Sequence, residues 1–259
     1  MSELNDITND LEAETRELVG LLQPLEPKDW ERVTPAEPWT ISDQIGHLAY
    51  FDEQATLAAS DPAAFADRLN ETLPTLVEDV GDFHRARGLG GPAVLDWFRQ
   101  ARDDLLSAAG DVDPDSRIPW YGPPMRPRSF MVARLMETWA HGTDVAQTLG
   151  TTLPATDRLF WIADLGVRTF SWSFANRQLD VPAERVRVAL SSPSGLSRVW
   201  NEESEQSVSG PAEDFCLVVS QRRHVADTEL AVNGTVAARW MEIAQVFAGP
   251  PGTGRSPTS

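Results

Sequence analysis

The sequence predicts an α+β protein: a helical N-terminal domain followed by a small α+β domain. Three observations lead there. Apolar residues recur at helical spacing through the first two thirds of the chain. After Pro182 the spacing switches to the apolar/polar alternation of a strand, as in VRVALSS. The chain has 259 residues, 41% of them hydrophobic and nine of them tryptophan, which suffices for one large domain or two small ones with packed cores.

Each element follows in order. Residues 3–23 read as an amphipathic helix, with Leu4, Ile7, Leu11, Leu18 and Leu21 or Leu22 near helical spacing. LQPLEPKDWERVTPAEPW is proline-rich and forms a connection. Thr40 and Asp43 fit a capping box that opens a second helix, which carries Ile41, Ile45 and Leu48 on one side and runs to about Ala59. Residues 62–88 are helical in pattern but interrupted at Pro74. GPAVLDWFRQARDDLLSAA predicts the next helix, with Pro92 suited to its first turn. DVDPDSRIPWYGPPMRPRS is a loop. A helix over residues 129–149 ends at Gly150, and another covers 155–176. VRVALSS, LSRVWNEE and QSVSG read as strands, GPAEDFCLVVSQRRH as a helix, and ELAVNGTVAARWMEIAQVFAG as a short strand and a helix. The expected domains are 1–178 and 179–250, with a disordered low-complexity tail over 251–259.

Charge excludes whole classes of partner. The formal net charge is −17, whereas nucleic acid and anionic membrane surfaces need a basic footprint. No apolar run reaches the ~20 residues that span a bilayer. The acidic N-terminus has no apolar core of a secretory signal, so the expected location is the cytoplasm. Cys216, the sole cysteine, lies in the apolar run DFCLVVS and reads as a buried, inert thiol. The expected partner is a small-molecule substrate, and the expected state a monomer or homodimer.

The chemistry concentrates in two motifs. Glu137 and His141 stand four residues apart in RLMETWAHGTDVAQTLG, which puts them on one helix face a turn apart. His47, in PWTISDQIGHLAYFDE, adds a third ligand type from another helix. Two imidazoles and a carboxylate make a facial triad with open positions, the pattern of a catalytic metal site. Only four histidines are present, and two fall in these motifs. On the helix of Glu137, Met131, Leu135, Trp139, Gly142, Val145, Ala146 and Leu149 form an apolar arc. Arg134, Glu137, His141, Asp144 and Thr148 form a polar arc, which by itself reads as a solvated face.

Around the triad, Asp52 and Asp144 follow the histidines at spacings that let them orient an imidazole. Trp120, Tyr121 and Arg128 lie in the loop entering the metal helix, placed to wall or cover a cofactor pocket or simply to pack. His84 lies in the 62–88 insertion as an extra ligand or a plain surface histidine. Arg222 and Arg223, the dense basic pair of the C-terminal domain, suit a bidentate grip on a substrate carboxylate or a helix C-terminus.

The string from Trp39 to Leu48, WTISDQIGHL, resembles the second-helix signature of the DinB-like family. ETWAHGTD, from Glu137 to Asp144, resembles the matching motif of its mycothiol-dependent maleylpyruvate isomerase branch. VSGPAEDFCLVVSQRRH and LAVNGTVAARWMEIAQVFAGPP resemble the small sterol-carrier-like domain found behind that bundle. Arg222, Arg223 and His224 depart from it, standing where its helix ends in a single arginine. The resemblance implies a four-helix bundle holding a divalent ion, usually zinc, through His47, Glu137 and His141. It also implies a metal-dependent isomerase or thiol transferase that uses mycothiol on a small organic acid. Two rivals share the scaffold: a metal-dependent hydrolase or cyclase of secondary metabolism without a thiol, and a non-catalytic metal- or ligand-binding stress protein.

Overall fold

The computed structural model describes residues 3–72 and 83–258. The chain divides into two compact units, residues 1–153 and 154–259.

The first unit is helical. In chain order it contains α1 (Glu3–Leu22), α2 (Ile41–Ser60), α3 (Pro62–Thr72), α4 (Phe83–Leu89), α5 (Gly91–Asp111) and α6 (Pro127–Thr148). Among the long helices, α1 packs on α5 and α6, and so does α2. Leu18, Leu22, Ile41, Ile45, Leu48, Val94, Phe98 and Val145 fill part of the space between them. The shorter α3 and α4 lie against α2. The break expected at Pro74 falls outside the described residues.

Local chemistry fixes α2, the helix that carries His47. The Asp43 amide donates to Thr40 Oγ1 at 3.2 Å, and the Thr40 amide donates to Asp43 Oδ2 at 3.0 Å. This is the capping box read from the sequence. Asp43 also accepts from Arg87 of α4, at 2.8 Å to Nε and 3.0 Å to Nη2, so one carboxylate starts α2 and docks α4. Next to His47, Gly46 faces Ala86 so closely that a Cβ there would collide with the Ala86 methyl.

The helix α6 starts at Pro127, two residues before the expected position, because proline is favoured where no amide partner is needed. It is buried around most of its circumference. Arg134, Thr138, His141 and Asp144 are all buried. The polar arc that reads as a solvated face in isolation therefore points inward.

The second unit opens with α7 (Leu159–Arg168) and α8 (Phe170–Ala175), where one continuous helix is expected. The break is at Thr169, whose hydroxyl turns back to donate to the Gly166 carbonyl at 3.0 Å. Then come β1 (Arg187–Ser191), β2 (Ser197–Trp200), β3 (Ser207–Pro211), α9 (Ala212–Val219), β4 (Ala231–Asn233) and α10 (Thr235–Ile243). The sheet order is β2-β1-β3-β4. β1 pairs antiparallel with β2 and parallel with β3, and β3 pairs antiparallel with β4. Val188, Leu190 and Val208 are buried on the sheet, and Phe215 and Trp240 on the helices.

Helices α7 and α8 belong to this second unit, so the division lies before the 178/179 boundary expected from periodicity. Gly166 lets α9 approach, with Phe215 and Val219 each 3.0 Å from where its Cβ would stand. Phe170 and Phe215 both pack on Trp240. The tail, read as disordered from composition, is tied to the same unit. Arg177 Nη2 donates to the Gly252 carbonyl at 2.7 Å, and the Thr258 hydroxyl donates to Asp227 at 2.7 Å.

Candidate metal centre

His47 of α2 and Glu137 and His141 of α6 come together inside the first unit. Their ligand atoms all lie within 4.8 Å of one another. His141 Nε2 is 3.2 Å from Glu137 Oε2, and the two imidazole centroids are 4.7 Å apart. The histidines are buried, whereas the Glu137 side chain keeps 21% of its surface exposed. The site is therefore enclosed on the histidine side and open beside the carboxylate.

Burial alone would raise the pKa of Glu137. The hydrogen bond and charge of His141, helped by His47 and Arg134, outweigh it and hold the carboxyl at about 2. An ionised carboxylate and two imidazoles aimed at one point form a donor set suited to a divalent cation. Three protein ligands leave coordination positions for water or substrate.

The surroundings constrain the two imidazoles. His141 Nδ1 meets Oε1 of the buried Gln44, one turn before His47 on α2. The Trp39 ring stacks on His141 at 5.7 Å and 9° and also touches His47 at 5.1 Å. Phe51 lies 4.6 Å from His47. These rings pack against the histidine side of the cluster.

Trp120 and Tyr121 continue that wall. They sit in a turn closed by reciprocal 2.9 Å backbone bonds between Ile118 and Met125. Their rings contact Phe51 at 6.1 and 5.5 Å, and Trp120 stacks on Phe65 at 5.6 Å and 8°. Burial, and then the neighbouring Tyr50 hydroxyl, push the Tyr121 phenol upward, so it stays protonated. One aromatic ring thus separates this loop from His47. Arg128 lies toward α1, with its Nε 3.1 Å from Glu3.

Asp52 does something other than orient an imidazole. Its carboxylate accepts from Arg102 Nε at 2.8 Å and from Arg134 Nε at 3.0 Å, all buried. Five residues beyond His47, it has turned to a different face of α2. Asp144 is fully buried on α6. His84 is exposed on α4 and is not part of the cluster.

In the second unit, Arg223 Nη1 donates to Asp214 at 3.0 Å and Arg222 Nη1 donates to the Ser220 carbonyl at 2.8 Å. Arg223 thus reaches back to the first turn of α9, while Arg222 bonds the carbonyl that caps its C-terminus. Cys216 is buried, and burial, with a lesser contribution from Glu213, raises its thiol well above the usual range.

Sequence reasoning missed Gln44, Arg102 and the inward role of Arg134. The available signals were a glutamine three residues before His47 and an arginine three before Glu137. Such spacing puts each pair on a shared helix face.

The family model for the mycothiol maleylpyruvate isomerase N-terminal domain matches residues 11–146. The chain belongs to that family. Two uncharacterized proteins from different strains of Mycobacterium tuberculosis are each 42% identical over 258 residues, covering 98% of this chain and all of theirs. Among solved structures, the mycothiol-dependent maleylpyruvate isomerase superimposes with a TM-score of 0.59 at 15% identity, covering 90% of this chain and 93% of that one. A histidine-to-alanine mutant of that enzyme gives the same TM-score at 14% identity. At such identity the likeness establishes the fold. It extends over both the helical part and the small α+β part. Among the described residues, no helix is long and apolar enough to cross a membrane.

Proposed function

We propose that this protein is a metal-dependent enzyme of the mycothiol-dependent isomerase and thiol-transferase type, acting on a small organic acid. The observation that carries the reading is the convergence of His47, Glu137 and His141 within 4.8 Å in a member of this family. These residues would hold one divalent ion, zinc by preference for two imidazoles and a carboxylate. When bound, such an ion supplies Lewis acidity and lowers the pKa of a thiol or water that reaches it.

The chain's own groups do the rest. Glu137 stays ionised and brings negative charge to the ligand set. Trp39 and Phe51 keep bulk water from the imidazoles, which strengthens electrostatic interactions at the cluster. The partly exposed side of Glu137 is the approach for a small molecule. Trp120 and Tyr121, packed on Phe51, wall that approach. The nucleophile comes from the small-molecule thiol, since Cys216 is buried with its thiol held neutral.

The test combines metal analysis with turnover. Plasma emission should find one zinc per chain in the purified or reconstituted protein, and none in His141→Ala or His47→Ala. The zinc-loaded protein should isomerise maleylpyruvate, or transfer a thiol to a related unsaturated acid, only when mycothiol is supplied. Full zinc content in both histidine variants would overturn the metal assignment. Thiol-independent hydrolysis by the loaded protein would favour the rival enzymatic reading.

A further inference from the structure

We infer that Gln44, anchored by Thr34, is a positioning residue that keeps a proton on His141 Nδ1 and so leaves Nε2 as the nitrogen presented to a metal ion beside Glu137 and His47. The inference rests on the metal reading above and adds two residues that are not ligands.

The direction of the network follows from a backbone carbonyl. The Trp39 carbonyl can only accept, and it receives the Thr34 amide at 2.7 Å and the Thr34 hydroxyl at 2.9 Å. The Thr34 hydroxyl proton is thereby spent. Its oxygen must accept from whatever faces it, and what faces it is Gln44 Nε2 at 2.8 Å. The amide is therefore oriented, and its Oε1 is the atom presented to His141 Nδ1. An amide oxygen accepts and never donates, so Nδ1 must carry the proton. The opposite amide orientation would leave Oε1 against a hydroxyl with no proton to give.

Burial makes this arrangement rigid. Thr34 is 2% exposed, Gln44 0% and His141 6%, so water offers little substitute for any of the three bonds. The same short segment holds the imidazole twice. Thr34 and Trp39 belong to a turn closed by the Val33–Thr40 bridge, and the Trp39 ring stacks on the face of the imidazole whose edge Gln44 binds. A ligand histidine needs its second nitrogen hydrogen-bonded to fix ring and tautomer, and such partners contribute to metal affinity without touching the ion. Gln44 does this without a further negative charge beside Glu137.

Three variants of the full chain test the idea. Gln44→Met removes the acceptor at similar length, Gln44→Glu keeps an acceptor, and Thr34→Val cuts the anchor. Zinc affinity is read by competition with a chromophoric chelator, and the His141 ring by long-range proton–nitrogen correlation in metal-free and zinc-loaded protein. Gln44→Met should weaken zinc by roughly 10–100-fold, the usual range for such partners. Thr34→Val should weaken it less, and Gln44→Glu, which keeps the acceptor for His141 but loses the donor to Thr34, should also weaken it less than Gln44→Met does. The unsubstituted protein should show a protonated Nδ1 in both states. Thermal unfolding of the metal-free variants separates misfolding from loss of affinity. Should Gln44→Met fail to fold, the other two variants and the nitrogen spectra decide. An unprotonated Nδ1 in the zinc-loaded protein, or undiminished affinity in Gln44→Met, overturns the inference. If the unsubstituted chain binds no zinc, the metal reading falls and this inference with it, an outcome distinct from a loss confined to the variants.

Discussion

Helices α2 and α6 carry two buried polar clusters side by side, and the two are built on opposite plans. In the first, the single carboxylate of Asp52 meets two guanidiniums. Arg102 also donates from Nη2 to Thr138 Oγ1 at 2.9 Å and from Nη1 to Thr15 Oγ1. Those hydroxyls pass their own protons to the carbonyls of Arg134 at 2.8 Å and Leu11 at 2.7 Å. Arg134 Nη2 lies 2.9 Å from Asp52 Oδ1 at an angle too poor for a hydrogen bond, the one loose end. The network joins α1, α2, α5 and α6. Apart from that nitrogen, these donors and acceptors bond one another within the protein.

The second cluster joins two imidazoles to one carboxylate. His47, Glu137 and His141 aim their ligand atoms at a common point, and His141 is held from behind by Gln44. Nearly the same stretch of helix thus supplies a closed network and an open one. The difference teaches that burial of polar groups does not mark a functional site. What sets the second cluster apart is that two imidazoles and a partly exposed carboxylate bring their ligand atoms within 4.8 Å of one another.

The largest effect expected from breaking this contrast is at Asp52. Asp52→Ala leaves two buried guanidiniums without their anion, and losing one partner of a buried pair costs about 3–5 kcal/mol. Urea unfolding of the metal-free protein measures it. A loss below about 1 kcal/mol, the range of exposed pairs, would show that the first cluster is not structural.

Zinc should act on the second cluster alone. At a free concentration of 100 times Kd it should stabilise the unsubstituted protein by about 2.7 kcal/mol through mass action. The shift should vanish in Glu137→Gln and His47→Ala and be restored to the metal-free value by a chelator in the unsubstituted chain. Calorimetry with and without zinc reads it. A zinc shift retained in both variants would mean that the ion binds elsewhere.

Gly46→Ala probes the ground between the clusters. The added methyl meets Ala86 of α4, and overpacking of this kind costs about 1–3 kcal/mol. Denaturant midpoints should fall accordingly. An unchanged midpoint would show that α4 yields, and that the wall beside His47 is softer than its packing suggests.

The smallest effect is expected at Cys216, a buried thiol outside both clusters. Iodoacetamide at neutral pH should label it only after unfolding. Its raised pKa means that the fold favours the neutral thiol. That contribution to stability is complete below the unfolded thiol's value of about 8.5 and declines as pH rises through the higher folded value. Rapid labelling of the native protein would show that thiol chemistry within the chain had been wrongly set aside.

The sequence by itself determined the elements that depend on neighbours along the chain. The capping box at Thr40 and Asp43, the i, i+4 pair of Glu137 and His141, and the alternation at β1 are local, and each is found in the structure. The two family motifs determined which histidine joins that pair. Only the tertiary structure decided which polar side chains face one another. Arg102 and Thr15 meet across 87 residues, His141 and Gln44 across 97, and no periodicity encodes such a pairing. For the same reason the polar arc of α6 is solvated when considered alone and largely buried when the neighbouring helices pack on it. The placement of α7 and α8 likewise depends on Gly166 admitting Phe215 and Val219, a fit between surfaces that only the folded unit brings together.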